Sequence, residues 1–239
     1  MIAIVRYMAL AAARKVIVIG GSGALGRALV QSFRGNWEVT SVDISPNPEA
    51  QCNIALKAAD LPELQARSLL GQLQGKYEAI LCVAGGFVAG SVKNTDVFAQ
   101  AESMFGLNVN PSMVAAHIAT KHLAASGLLL FTGAATPFKS TTSDLMAYGL
   151  SKTAVHSLAS NVAERTDIPT DSTVVTILPE TLDTARNRAD MPQADVTKWL
   201  QPGSVAALVK MWAEGGNRPE NGSFAVVKKE AGCAVPEFL

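Results

Sequence analysis

Short runs of β-branched and apolar residues, most of them lacking polar alternation, recur along the chain and limit what it can fold into. They fall at residues 15–19, 37–42, 79–83, 127–132, 173–178 and 223–227. A strand that is apolar on both faces belongs to a sheet covered on both sides. Segments with helical spacing separate these runs. Residues 24–33 place Leu25, Leu29 and Phe33 on one face. Residues 61–73, 96–125, 143–165 and 205–213 also read as helices, with Pro111 as a kink or join in the third. Strand and helix in alternation predict an α/β fold, a Rossmann-like doubly wound parallel sheet. No internal repeat, low-complexity tract or linker divides the chain, so a single domain is expected over 15–239.

Composition supports this reading. Of 239 residues, 49% are hydrophobic and 17% charged, which suits a packed core and excludes a disordered chain. Lys plus Arg and Asp plus Glu both number 20, so no net charge draws the chain to a nucleic acid backbone. No apolar run reaches the ~18 residues of a membrane span. The three cysteines, Cys52, Cys82 and Cys233, are an odd and widely spaced set rather than a disulfide framework. A reducing, cytoplasmic setting is the corresponding expectation. Residues 1–14 are alanine-rich and read as an extension before the first strand.

The turn after the first run is Gly20-Gly21-Ser22-Gly23-Ala24-Leu25-Gly26. Glycines let the backbone approach a pyrophosphate, and the N-terminus of the next helix offers N–H groups and a favourable dipole. Gly20, Gly23, Ala24, Leu25 and Gly26 are therefore candidate cofactor contacts. Asp43 ends the second run, about 20 residues on, where a carboxylate accepts from both adenine-ribose hydroxyls. It would repel a 2′-phosphate, so NADH is the expected cofactor. Val83-Ala84-Gly85-Gly86 closes the third run, and its small residues leave room for the ribose.

Tyr148 and Lys152 are four apart within a helical segment and share a face. A tyrosine beside an ammonium is expected to ionise more easily and to exchange protons near neutral pH. Lys152 can also hold the nicotinamide ribose. These make Tyr148 and Lys152 the candidate catalytic pair.

Together these motifs resemble the short-chain dehydrogenase/reductase family over essentially the whole chain. The resemblance implies that Asn108, which falls at that family's helix asparagine, supports a proton relay and stands among the cofactor contacts. It also exposes departures. Ala135 stands where the family has its active-site serine, 13 residues before the tyrosine, Val83 replaces the asparagine of an Asn-Ala-Gly motif, and Ala24 replaces a glycine. The departures match one branch, the quinonoid dihydropteridine reductases. That likeness continues through Tyr148-Gly149-x-x-Lys152-x-Ala154-Val155-His156, Leu178-Pro179-x-Thr181-Leu182-Asp183-Thr184, Asn187-Arg188, Met191-Pro192 and Asn217-Arg218-Pro219. Phe87 stands where this branch carries tryptophan.

The resemblance implies hydride transfer from NADH to a quinonoid dihydropterin, with Thr184 among the cofactor contacts. It places Phe87, Ala135 and Tyr148 against the small-molecule substrate and implies a homodimer. The missing serine suits a conjugated acceptor that builds no alkoxide. Two other readings stand beside this one: a general carbonyl or alcohol oxidoreductase, which Ala135 opposes, and an NAD(H)-sensing regulator without turnover, which Tyr148 and Lys152 oppose. His117 and His122 are five apart with no acidic partner between them and read as packing residues rather than metal ligands. His156, one turn past Lys152, reads as structural. Phe98, Phe105 and Leu107 read as core or interface, and Trp199 and Trp212 as lid or core. Met191-Pro192 falls on a long connection where the family keeps a substrate-covering loop.

Overall fold

A computed structural model describes residues 13–164 and 166–239; residues 1–12, most of the expected extension, lie outside these. Among the described residues the strands are β1 (Arg14–Ile19), β2 (Trp37–Asp43), β3 (Cys52–Ala55), β4 (Tyr77–Cys82), β5 (Leu123–Thr132), β6 (Thr173–Pro179), β7 (Ser223–Glu230) and β8 (Cys233–Phe238). They form one sheet in the order β3-β2-β1-β4-β5-β6-β7-β8. All neighbouring pairs from β3 to β7 are parallel, and β8 alone returns antiparallel on β7.

The helices are α1 (Ala24–Phe33), α2 (Pro62–Gln72), α3 (Val97–Met104), α4 (Asn110–His122), α5 (Thr136–Lys139), α6 (Met146–Ala163), α7 (Ala185–Asp190) and α8 (Pro202–Ala213). Because side chains alternate along a strand, each strand feeds two cores. Val16 and Val18 pack with Leu29, Phe33 and Trp212 from α1 and α8, whereas Ile17 and Ile19 share the other layer with Leu69, Ile118 and Val155 from α2, α4 and α6. Trp212 belongs wholly to the first core, and Trp199 is also buried. This is the doubly wound sheet that the apolar runs predicted.

Besides the short helices α5 and α7, which the sequence reading did not include, the structure departs from it in four places. The helix expected over 96–125 is two helices joined by a π-helical turn at Phe105–Val109. There the Asn110 N–H reaches back to the Phe105 carbonyl, five residues away. Pro111 has no N–H to continue the regular ladder, and the wider turn absorbs that loss. The fifth strand begins at Leu123 rather than 127, with Ser126 at φ 56 and a register shift marking an irregular first half. The short edge strand β3 has one buried residue, Ile54, too few to show a pattern.

The fourth departure is β8, which carries Pro236 and is only half buried. A proline is tolerated there because the strand is at an edge. The two residues between β7 and β8, Ala231 and Gly232, both have positive φ (47 and 84), as a tight hairpin turn requires.

Arg218, in the Asn-Arg-Pro segment, has a structural task. Its guanidinium donates to the carbonyls of Trp212 (2.7 Å) and Ala213 (3.1 Å) at the end of α8, and to Ser126 (2.6 Å) at the irregular part of β5. A cation there satisfies helix-end carbonyls and complements the dipole. Strand order reverses between β1 and β4, which opens a crevice at their carboxyl ends. The candidate site residues gather around it.

Candidate active site

A cleft of about 1980 Å³ runs along the carboxyl ends of the strands. One wall begins with the glycine turn. Gly20 has φ +88, and a Cβ there would lie 2.4 Å from the Ala84 nitrogen. A Cβ on Gly26 would lie 1.9 Å from the Gly20 carbonyl oxygen. Bare backbone at these two positions lets β1, β4 and the start of α1 close on one another. Gly23 caps α1 without a side-chain hydrogen bond, and the first turn holds no acidic residue. Its amides are thus free of a competing side-chain acceptor, beside Ala24 and Leu25 in the cleft wall. A dinucleotide pyrophosphate fits this end.

Asp43 lies at the same end. One carboxylate oxygen accepts from the Ser22 N–H (2.9 Å) and the other from the Ile44 N–H (2.7 Å). Each oxygen keeps a further lone pair for a ribose hydroxyl. The carboxylate also pins the glycine turn it serves. Asn47, which sequence reasoning passed over in its Pro/Asn loop, does the same from below. Its side-chain amide donates to the Gly21 carbonyl (2.7 Å), and its own backbone N–H is held by Asn53. The only signal for it was an asparagine between two prolines, a common loop composition.

Ala84, Gly85 and Gly86 follow β4 along the floor of the cleft. Asn108, swung inward by the π-helical turn, is buried. Its side-chain carbonyl accepts from the Gly86 N–H (3.0 Å), while its amide donates to the Gly86 carbonyl (3.2 Å) and to the Ser151 hydroxyl (2.9 Å). It therefore joins the floor to α6, and its side chain is taken up by that task.

Past Gly86 the chain pairs with the segment leading into α6, through Gly90 and Leu145. This places Phe87 edge-on against Tyr148, with ring centroids 5.0 Å apart. Tyr148 and Lys152 do share a face of α6, and the ammonium lies 5.8 Å from the tyrosine ring. The expected easing of tyrosine ionisation does not appear. Burial pushes the Tyr148 phenol up to about 12 and lowers Lys152 to about 8. The largest cause for both groups is the loss of surrounding water, while the Lys152 ammonium donates to the Thr132 carbonyl (2.8 Å). At neutral pH the pair is a neutral phenol, able to donate a proton, beside a mostly charged ammonium.

The far wall is the stretch after β5. Ala135 lines the cleft, and its methyl stands where a hydroxyl could have offered a hydrogen bond. Thr184 begins α7, and its hydroxyl accepts from the Asn187 N–H (3.1 Å) as a helix cap. The connection carrying Met191 and Trp199 closes over this end. Asp183 holds it to the body. Arg188 grips the carboxylate with two donors (2.5 and 2.8 Å), and Gln201 adds a third (2.8 Å). Among the described residues no group of three His, Cys, Asp or Glu could hold a metal, and no helix is long and apolar enough to cross a membrane.

Comparison with known proteins agrees with this geometry. Residues 16–203 match the NAD dependent epimerase/dehydratase family. A dihydropteridine reductase of Dictyostelium discoideum is 33% identical over 217 residues, covering 88% of this chain and 93% of that protein. Among solved structures, a short chain dehydrogenase family protein from Francisella tularensis superposes with a TM-score of 0.74 at 22% identity, covering 89% of this chain and 96% of its own. A short chain dehydrogenase from Burkholderia cenocepacia, solved in complex with NADP, gives 0.73 at 21% identity, with 92% and 97% covered. The chain therefore belongs to the NAD dependent epimerase/dehydratase family, as a short-chain dehydrogenase/reductase homologous to dihydropteridine reductase, and is an NAD(P)-dependent oxidoreductase.

Proposed function

We propose that this protein reduces a quinonoid dihydropterin to the tetrahydropterin, with NADH as the preferred hydride donor. One observation carries the reading: the substrate end pairs a half-buried phenol donor, Tyr148, with an aromatic edge, Phe87, and offers Ala135 in place of a hydroxyl. A ketone reductase stabilises a developing alkoxide and needs such a donor. A flat, electron-poor, conjugated acceptor needs a ring to pack against and one proton. The 33% identical relative bears the name of that activity.

The nicotinamide cofactor supplies the hydride, and the protein's residues do the rest. The first-turn amides of α1 would hold its pyrophosphate, and Asp43 its adenine ribose. Lys152, held by the Thr132 carbonyl, would orient the nicotinamide ribose. Tyr148 gives its phenolic proton to the ring nitrogen of the substrate, and the Lys152 ammonium stabilises the phenolate left behind. Phe87 and Ala135 fix the plane of the acceptor between them. The test is NADH oxidation followed with chemically generated quinonoid dihydropterin and with a panel of ketones. Turnover of the pterin alone supports the reading, and turnover of ketones alone overturns it.

The active form is a homodimer. Phe98, 86% exposed, together with Phe105, Met113 and Leu150, leaves an apolar surface along α3, the π-helical turn, α4 and α6. A second copy of the same helices would cover it across a two-fold axis. Light scattering at micromolar concentration should give twice the chain mass, and a monomer mass would contradict this.

A further inference from the structure

The wall that carries Ala135 is held from behind by one side chain. His156 sits on α6, one turn beyond Lys152, and is buried. Its Nε2 accepts from the Ala134 N–H (3.1 Å), so the ring is neutral with its proton on Nδ1. The same ring stacks on Phe138, with centroids 4.6 Å apart and planes 15° from parallel. Phe138 is in α5, so His156 grips the segment at both ends: Ala134 by a hydrogen bond, Phe138 by its face. Phe224 from β7 closes edge-on against both rings, at 5.5 and 5.3 Å. Gly133 makes this approach possible, because a Cβ there would lie 2.3 Å from Nε2. Residues 133–136 line the cleft, while His156 does not. It reaches the substrate through the segment it holds.

We infer that His156 is a positioning residue for the substrate wall: it fixes residues 133–139 so that the Ala135 face and the Tyr148 phenol meet the same acceptor. Where the wall offers no hydroxyl, orientation rests on the shape of the backbone, and that shape depends on the Ala134 hydrogen bond and the Phe138 stack. Burial, with a further contribution from Lys152, holds the His156 imidazole down at about 4, so the acceptor nitrogen stays free of a proton throughout the neutral range. The inference rests on the substrate end assigned above, and its test is built to fail separately from that assignment.

Three variants separate the two holds. His156→Gln keeps an acceptor for the Ala134 N–H and loses the stack. His156→Phe keeps the stack and loses the acceptor. His156→Ala loses both. For each variant, steady-state kinetics with NADH and the quinonoid dihydropterin are paired with the Kd for NADH and the melting temperature. His156→Ala should raise the pterin KM about tenfold, as for a lost positioning contact, with the NADH Kd within about twofold of the parent. His156→Gln and His156→Phe should each fall between the parent and His156→Ala. A merely structural role would move the NADH Kd and the pterin KM together and in step with melting temperature, and that result overturns the inference.

Amide hydrogen exchange in the NADH-saturated protein gives a readout independent of substrate identity. The Ala134 amide should exchange at least about tenfold faster in His156→Phe, with β1 and the glycine turn unchanged. Unchanged exchange at Ala134 overturns the inference even if the parent reduces the pterin. Faster exchange at Ala134 in His156→Phe, where the parent does not reduce the pterin, supports the positioning role and refutes the substrate assignment instead.

Discussion

The two ends of the cleft are built differently. The cofactor end is local in sequence: β1, the glycine turn, α1 and β2 span 30 residues from Arg14 to Asp43, and it offers mainly backbone amides and one carboxylate. The substrate end is drawn together from the loop after β4, the stretch after β5, the middle of α6 and the connection around α7. Its shape depends on side chains that do not line the cleft, such as Asn108, His156 and Asp183. A dinucleotide has a fixed pyrophosphate geometry that a short backbone motif can match. A substrate pocket is defined by surfaces, and distant segments must supply them. The first end should therefore tolerate little change of backbone, and the second should respond to changes made behind its walls.

Chemistry is the point where the two ends meet, and it should give the largest effect. Tyr148→Phe removes the phenol and keeps the ring against Phe87. If the phenol donates the proton, kcat should fall on the order of 10²-fold or more, with little change in the NADH Kd. Lys152→Met should lower kcat and also raise the KM for NADH, because the lysine serves both ends. The double variant should be little worse than either single one, since groups acting as a unit are not additive. Because burial lowers Lys152 to about 8, kcat/KM should decline as pH rises through that value, where the ammonium that supports the phenolate is lost. The alkaline decline should be absent in Lys152→Met. A double variant with full kcat and unchanged KM for NADH would show that the site is misassigned.

Asp43 probes the cofactor end alone. Asp43→Ala removes the ribose acceptor and the clamp on the Ser22 N–H. NADH efficiency should fall about tenfold, and the preference over NADPH should narrow by a similar factor, since one charge-assisted hydrogen-bonding group is worth about 1.5–3 kcal/mol. The pterin KM should stay near its parent value. Equal efficiency of the parent with NADH and NADPH would remove the premise.

This contrast also explains what the sequence could reveal. The sheet, the glycine turn, Asp43 and the Tyr148–Lys152 pair were legible because each rests on a local period or spacing. β3 was not, since one buried residue makes no pattern, and β8 was hidden by its proline and half-exposed faces. The π-helical turn was foreshadowed only by Pro111, whose missing N–H signals a break without saying which kind. Asn47 and His156 were missed as site residues because their partners lie 26 and 22 residues away and the contacts are to backbone groups. The reversed ionisation of Tyr148 was out of reach for another reason. Spacing shows that a lysine shares a helix face with the tyrosine, whereas the desolvation that shifts both groups depends on how the folded chain buries them.

The smallest expected effect concerns stability rather than rate, and it follows from the substrate wall. In the folded protein the His156 imidazole ionises at about 4, against 6.5 when free. Above pH 6.5 neither the folded nor the unfolded chain holds this proton, and the stability of the buried neutral ring is fully present. As pH falls below 6.5 the unfolded chain takes up the proton first, so stability declines until the folded ring also protonates near 4. Between pH 7 and pH 5 this one group should remove about 2 kcal/mol. Carboxylates contribute their own dependence over the same range, so the informative quantity is a difference. Urea midpoints of the parent and His156→Gln, measured at both pH values, should lie closer together at pH 5 than at pH 7, because the glutamine takes up no proton. Lys152, the charged neighbour that helps disfavour the imidazolium, remains an ammonium at both pH values and cancels from the comparison. Parallel midpoints would mean that the ring ionises as if exposed, and that the wall behind Ala135 is open to water rather than held by a buried imidazole.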